Sequence, residues 1–221
     1  DRPLEPAFNL LAPLDIASGA GHAQGDLTDE AGLPTLLIQA RDPGIWGNRL
    51  AVRVGRAYPV AAVTSGAPQP AARTISLVDR VEGFRMGSLV KVFQEQPAAP
   101  PLETYRVVTG VDPGQAALSW DASLDTDLGI GDSFDLTRPI TFETVTFSLT
   151  VYLDGRIRET LSDLSLVPDR NLPYDPENTH RRQYHAERVI EAESSLIRVT
   201  DLDSPSLFPA RLPDPAAADL V

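Results

Sequence analysis

Alternation of apolar and polar side chains is sharpest between Val145 and Leu153, where every odd position is apolar and Thr146, Ser148 and Thr150 lie between. Successive side chains of a strand point to opposite faces, so this run predicts a strand with one dry face. Asp154-Gly155 follows as a two-residue turn that suits the twist of paired strands. The return limb carries apolar residues as far as Leu166, and the pattern therefore predicts a β-hairpin.

A second pair of strands is predicted earlier in the chain, at Thr35–Ala40 and at Arg49–Val54. Between them, Pro43-Gly44 suits the centre of a type II turn, because proline fixes φ and glycine accepts the positive φ that follows. We expect Trp46 to be largely buried, and Gly47-Asn48 to turn the chain back into the next strand. These features predict a first hairpin pinned by an aromatic side chain.

The middle of the chain predicts a separate module. Residues 57–72 are rich in Ala, Pro, Ser and Gly and indicate a linker, whereas residues 19–25 indicate a flexible loop. Short strands separated by turns are predicted at Thr74–Val78, Ser88–Phe93, Tyr105–Val111 and Ala116–Trp120. Such spacing is typical of a small β-barrel or sandwich, which we place at residues 73–139.

Helical periodicity occurs only near the end, within residues 180–198, with Asn178 or Thr179 as candidate caps and a strand predicted at 194–200. The predicted fold is mainly β with some α (α+β), a mixed or antiparallel sheet domain that carries the inserted module. Its core domain is discontinuous, at residues 1–72 and 140–200. The tail 201–221 is expected to lead to a C-terminal domain that this chain lacks.

Composition narrows the function classes. The 221 residues carry a net charge of -12, which repels phosphate backbones and disfavours nucleic-acid binding. No apolar run approaches the roughly 18–20 residues that cross a bilayer, so no membrane insertion is expected. The chain has no cysteine, which fits folding in the cytoplasm and excludes a disulfide or thiolate metal site. The start lacks an initiator Met, and we expect an internal piece of a longer protein.

Candidate chemistry is sparse. Five acidic residues crowd into a short stretch and suggest a calcium loop: Asp121, Asp125, Asp127, Asp132 and Asp135. The spacing of an EF-hand fails, because Leu128 stands where the third ligand is needed. His180 and His185, near Glu187, are five residues apart, a spacing that diverges on a helix face and disfavours zinc. No serine elbow or phosphate loop is present in the sequence. We therefore predict no cofactor, no metal and no enzymatic activity.

Three stretches together resemble a known family. Ala40-Arg-Asp-Pro-Gly-Ile-Trp-Gly-Asn-Arg-Leu-Ala-Val-Arg-Val54 resembles a segment of tail sheath proteins. Phe147-Ser-Leu-Thr-Val151, followed by Glu159-Thr-Leu-Ser-Asp-Leu-Ser-Leu166, resembles a later segment of the same proteins. Tyr184, Ile190 and Glu193-Ser-Ser-Leu-Ile197 resemble their closing pattern, except that Glu191 replaces the usual Asn. The residues of the resemblance and the hairpin turn are Pro43, Gly44, Trp46, Gly47, Asn48, Asp154, Gly155, Glu159, Leu164, Ser165 and Ser195.

The resemblance implies a structural subunit of a contractile phage tail or contractile injection system. Such a subunit polymerises in the cytoplasm around an inner tube protein, contacts a baseplate and exchanges strands with its neighbours. The module at 73–139 falls where these proteins carry outward-facing insertions. Two alternatives remain: a β-rich surface binding or adhesion module, which an exposed aromatic cluster including Trp120 and Tyr105 would favour, and a hydrolase using paired carboxylates.

Overall fold

The chain folds into antiparallel β-sheets with little helix, as a computed structural model shows for residues 10–13, 21–29, 32–66, 68–97, 99–167, 184–204 and 209. This confirms the mainly β prediction. The elements are β1 (Leu10–Pro13), β2 (Gln24–Thr28), β3 (Pro34–Ala40), a 3-10 helix (Ile45–Arg49), β4 (Leu50–Ala57), β5 (Ala61–Val63), β6 (Ile75–Leu77), β7 (Leu89–Gln94), β8 (Leu102–Asp112), β9 (Ala117–Trp120), β10 (Thr141–Leu153), β11 (Arg156–Leu164), α1 (Ala186–Glu193) and β12 (Ile197–Asp201).

The chain divides into two compact units. Unit 1 comprises the described residues within Asp1–Ala57, Thr146–Leu166 and Arg181–Val221. Unit 2 comprises those within Tyr58–Val145 and Val167–His180. Strand β10 gives its first residues to unit 2 and the rest to unit 1, because the division falls after Val145.

Unit 1 contains two antiparallel sheets. One has the order β12-β3-β2, and the other is β1-β4-β10 with β11 on the free side of β10. Their apolar faces share one core with α1, which packs with Ala186, Val189 and Ile190. The predicted β10–β11 hairpin is confirmed by the pairing of Leu153 with Arg156.

The first predicted hairpin is wrong. Strands β3 and β4 both form close to where the alternation places them, but they lie in different sheets, because β3 pairs with β2 and β12 whereas β4 pairs with β1 and β10. The loop between them crosses from one sheet to the other. Alternation predicts a strand but carries no information on its partner.

Unit 2 follows the strand order β5-β10-β7-β8-β9-β6 and encloses its own apolar core. Its named strands do not close into a barrel in the part of the chain that is described. An isolated bridge between Thr64 and Val78 joins the two ends of the path. Here Ser65 N donates to Leu77 O at 2.8 Å, and Asp79 N donates to Val63 O at 2.9 Å.

In unit 2, two glutamine side chains each make a pair of hydrogen bonds with the backbone of another segment, in the way a paired strand does. The Gln69 amide donates to Leu77 O at 3.0 Å and accepts from Leu77 N at 2.9 Å. The buried Gln94 amide does the same for Asp135, at 2.9 Å in both directions. Each amide satisfies the backbone of a neighbouring segment as a strand residue would.

Other differences concern the predicted loops. The linker expected at 57–72 includes β5, which pairs with β10 through Ala61–Val63, and the loop expected at 19–25 gives way to β2 at Gln24. These strands are short or contain glycine, so their sequences lack a clear alternation. The described helix begins after His185; the predicted caps Asn178 and Thr179 lie outside the described residues.

Candidate functional site

The loop from β3 to β4 is shaped by its glycines. Gly44 has φ 124° and ψ 163°, a conformation open almost solely to glycine and different from the second position of a type II turn, so that turn prediction is wrong. Gly44 N donates to Gly21 O at 3.1 Å, and Gly47 N donates to Gly44 O at 3.1 Å. The loop therefore begins a 3-10 helix instead of reversing the chain.

Gly47 is required by close packing. It is buried, and a Cβ there would lie 2.7 Å from Ala23 Cβ and 3.1 Å from Ala40 Cβ. Trp46 is half-buried against the core of unit 1, less buried than expected, and Pro43 and Asn48 are exposed. The close packing of Gly47 therefore positions the loop, and the half-buried Trp46 contributes only part of its contact with the core.

Arg49 joins this loop to the β10–β11 turn. Its Nε and Nη2 donate to the two carboxylate oxygens of Asp154, and Asp154 N donates to Arg49 O at 3.1 Å. Asp154 and Gly155 have φ of 54° and 71°, as a two-residue turn of this kind requires. The hydrogen bonds from Arg49 hold the pKa of Asp154 below its ordinary value, with nearby positive charge acting in the same direction.

Glu159 on β11 joins the hairpin to the connection between α1 and β12. Its Oε1 accepts from Ser195 N at 2.9 Å and from Ser195 Oγ at 2.7 Å, and its Oε2 accepts from Ser194 Oγ at 2.5 Å. Ser194 Oγ in turn accepts from Leu196 N at 3.2 Å and Ile197 N at 3.0 Å. One carboxylate thus organises the backbone where the helix ends and the strand begins.

Two further contacts join the same segments. Arg41 Nη2 donates to Glu191 O at 3.0 Å, and the two side chains form an ion pair at 3.3 Å. After β11, Ser165 N donates to Tyr184 O at 2.8 Å and Ala186 N donates to Ser165 O at 3.0 Å. Leu164, the last residue of β11, is fully buried in the unit 1 core.

The structure therefore brings Glu159 to Ser195, and places Asp154 against the loop that carries Gly44 and Gly47. We call the contacts Arg41–Glu191, Arg49–Asp154 and Glu159–Ser194/Ser195 the brace. Sequence reasoning missed Arg41, Arg49 and Ser194. Their partners lie 150, 105 and 35 residues away, and no local pattern signals a pairing at such separations.

The two carboxylates of the brace at Asp154 and Glu159 are fully engaged in hydrogen bonds. Both oxygens of Glu159 and both oxygens of Asp154 accept hydrogen bonds, so these carboxylates are occupied in holding the unit together. A general acid or base needs a position for a substrate proton within hydrogen-bond reach. In this structure the donors on both carboxylates are side chains and backbone of the same unit.

The acidic stretch that was weighed as a calcium loop has internal partners. Asp125 Oδ2 lies 2.6 Å from Arg73 Nη1 and its Oδ1 accepts from Phe134 N at 3.0 Å. Asp121 accepts from Val107 N, Asp127 pairs with Arg106, and Asp135 accepts from Thr137 N and Oγ1. Within the described ranges, no group of three or more His, Asp or Glu side chains is placed to hold a metal ion.

His185 is buried at the start of α1, with Nε2 3.4 Å from Asp201 Oδ2. His180, which was weighed with it as a zinc pair and disfavoured, lies outside the described residues. Helices in the described portion of the chain are all too short or too polar to cross a membrane.

The aromatic residues considered for ligand binding have structural roles. Trp120 is 4 % exposed, stacks on Phe142 with ring centroids 5.2 Å apart, and donates from Nε1 to Ser76 Oγ at 2.9 Å. Tyr105 is half-buried and its hydroxyl donates to Glu103 at 3.1 Å. These two residues do not form an exposed aromatic platform.

Comparisons with protein-family profiles, with curated proteins and with solved structures gave no match to this chain.

Proposed function

We propose that this chain is a structural subunit of a contractile sheath, in a phage tail or a contractile injection system. The single observation that carries the proposal is the brace. It joins stretches that resemble sheath proteins and that lie far apart in the sequence: the loop with Gly44 and Gly47, the hairpin with Asp154 and Glu159, and the segment with Ser195.

Such a brace suits a part that transmits force. A sheath subunit has to move as a rigid body when the lattice shortens, and charge-assisted hydrogen bonds between distant segments oppose local opening. In the proposal the subunit assembles with copies of itself around an inner tube, on a baseplate, and uses no cofactor. Assembly takes place in the cytoplasm, and the product is a virion tail or an injection particle.

Unit 2 is proposed as the outward-facing insertion, a barrel-like module within an α+β subunit. Two features support this. Ala57 and Thr146, which flank it in the chain, are paired residues of β4 and β10. The first and last strands of its path are bridged at Thr64 and Val78. The burial of Trp120 gives no support to the alternative of a glycan-binding or adhesion module.

The test is electron microscopy of the full-length product of the natural gene, with sedimentation as a second measure of its assembly. We expect ordered hollow tubes that sediment far ahead of a monomer. A full-length product that stays monomeric under all salt conditions contradicts the proposal.

A further inference from the structure

The first residues of β11 form an exposed end of its sheet. Arg156, Ile157 and Arg158 are all exposed, and Ile157 has 62 % of its surface open to solvent. In the described part of the chain β11 has no strand partner other than β10. A register shift between Val151 and Tyr152 leaves Arg158 as an extra residue, and such bulges re-aim side chains at sheet edges.

This sheet is basic although the protein is acidic. Residues 49–57 and 146–164 contain five arginines and three acidic residues, in a chain with a net charge of -12. The arginines are Arg49, Arg53, Arg56, Arg156 and Arg158, and the acids are Asp154, Glu159 and Asp163. The exposed Arg156 and Arg158 therefore attract an acidic surface of a second copy, in a protein whose net charge otherwise repels it.

One exposed turn of unit 2 carries an isoleucine flanked by acidic residues. Ile130 is fully exposed at the tip of a tight turn, closed by Asp132 N donating to Gly129 O at 2.9 Å, with φ 88° at Gly131. Asp132 is exposed two residues after Ile130, and Asp127, three residues before it, has a side chain that is 76 % exposed and pairs with the buried Arg106 at 3.3 Å. An exposed isoleucine between acids is thus the counterpart of Arg156-Ile157-Arg158.

The residues on either side of the Ile130 turn are held in place by burial, an ion pair and hydrogen bonds. Leu124 and Phe134, one on each side of the turn in the chain, are each 1 % exposed. Arg73 Nη1 pairs with Asp125 at 2.6 Å, and the buried Arg106 donates from Nε to Ser123 O at 2.8 Å. A projecting side chain on a fixed base loses little conformational entropy when it docks.

We propose that the Ile130 turn of one copy docks on the Arg156-Ile157-Arg158 end of β11 in a second copy. The two surfaces differ, so the contact is head-to-tail and repeats along an open assembly instead of closing a two-fold dimer. This inference rests on the proposed self-assembly and names one contact within it. A contact made by one turn has a low affinity by itself, and its repetition along the assembly raises the overall affinity.

Disulfide trapping tests the contact, because the chain has no cysteine of its own. Ile157→Cys and Ile130→Cys chains are mixed under mild oxidation, and a disulfide forms only where the two Cα atoms approach within about 7 Å. The control replaces Ile130→Cys by Ile75→Cys, another exposed isoleucine of unit 2. We expect the Ile157/Ile130 pair to link at least about tenfold faster than the control pair.

Charge reversal makes the test directional. Arg156→Glu with Arg158→Glu is expected to slow the linking, Asp132→Lys in the other chain to restore part of it, and salt to slow it as the Debye length falls from about 30 Å at 0.01 M to about 3 Å at 1 M. If the arginines only protect a strand edge from pairing, the neutral pair Arg156→Gln with Arg158→Gln speeds association between Ile157→Cys chains. That result, or equal rates for the test and control pairs, overturns the proposal.

The same substitutions in the full-length product separate the two proposals. Tubes that form normally with Arg156→Glu and Arg158→Glu overturn the contact and leave the sheath assignment standing. A full-length product that forms no tubes, while the 221-residue chains link as expected, contradicts the sheath assignment and leaves the contact standing.

Discussion

At the scale of single residues, Glu159 determines how α1 passes into β12. Its two oxygens accept three hydrogen bonds from Ser194 and Ser195, and Ser194 Oγ receives two backbone N–H groups in turn. Hydrogen bonds to a carboxylate are stronger than those to a neutral oxygen. The half-buried position of Glu159 leaves water able to replace only part of this network.

Glu159→Gln is expected to lower the free energy of unfolding by about 1–2 kcal/mol. The amide keeps one oxygen, but its NH₂ group meets Ser194 Oγ, which already accepts from Leu196 N and Ile197 N. Urea unfolding measures the change as a lower midpoint at constant m value. Glu193→Gln, at an exposed position at the end of α1, is the control, with an expected change within about 0.5 kcal/mol.

An equal effect of the two substitutions contradicts this role of Glu159. The sequence marks Glu159 and Ser195 only through the resemblance, and nothing local marks Ser194. A carboxylate on a strand and a serine 35 residues later are ordinary surface residues until the tertiary fold brings them together.

At the scale of elements, the β10–β11 turn is stabilised by its own two residues and by Arg49, which lies before β4. Asp154 and Gly155 adopt the positive φ angles of the turn, and Arg49 holds the Asp154 carboxylate in two hydrogen bonds. The pKa of Asp154 is therefore held below its ordinary value, first by the hydrogen bonds from Arg49. A carboxyl with a lowered pKa stabilises the fold when it is ionised.

Arg49→Gln is expected to make the free energy of unfolding less dependent on pH in the acidic range. In the unaltered chain this contribution is present above the unfolded pKa of Asp, about 3.9, and is lost as the pH falls through the lower folded value. The stability difference between the chain and Arg49→Gln should therefore be largest near neutral pH and shrink in acid.

Urea unfolding at neutral and acidic pH measures that difference, and Arg188→Gln on the exposed face of α1 serves as the control. A difference that stays constant with pH, or that matches the control, means that the pair does not contribute. High salt should reduce the effect, since the pair is exposed.

Elements were more predictable than their pairing. The runs that became β3, β4, β7, β8 and β10 show clear apolar patterns, and each forms. The predicted pairing of β3 with β4 was wrong, because the chain passes from Gly44 into a 3-10 helix and then into a strand of another sheet. Short β5 was hidden in an Ala- and Pro-rich stretch, where burial by neighbours decides the conformation.

At the scale of the whole molecule, the main segment of unit 2, Tyr58–Val145, begins and ends next to two paired residues of unit 1. Ala57 and Thr146 are Cα partners at the end of the β4–β10 ladder, which continues without a shift to Leu50 and Leu153. The sequence predicted an inserted module at 73–139, and the compact unit found here runs from Tyr58 to Val145 with a further segment from Val167.

Joining Ala57 to Thr146 through Asn-Gly, in place of residues 58–145, is expected to leave unit 1 folded. Partner residues separated by two turn residues form a hairpin, and closing a short loop costs less entropy than closing a long one. A cooperative urea transition and β-type circular dichroism are the measurements.

The control applies the same turn deeper in the ladder, between the partners Val54 and Leu149. It removes Phe147, which is 1 % exposed in the core, and is expected to unfold the unit. If both deletions unfold the chain, unit 1 does not fold independently of residues 58–145.

The pairing of Ala57 with Thr146 also has an evolutionary consequence. A gene segment inserted between these two codons leaves the register of β4 and β10 unchanged, because the ladder is fixed by pairs deeper in unit 1. Lineages can therefore exchange one module for another, of any length, provided that its own ends lie about 5 Å apart as those of paired strands do. The same junction offers a place where a foreign domain can be grafted without a change in the β4–β10 register.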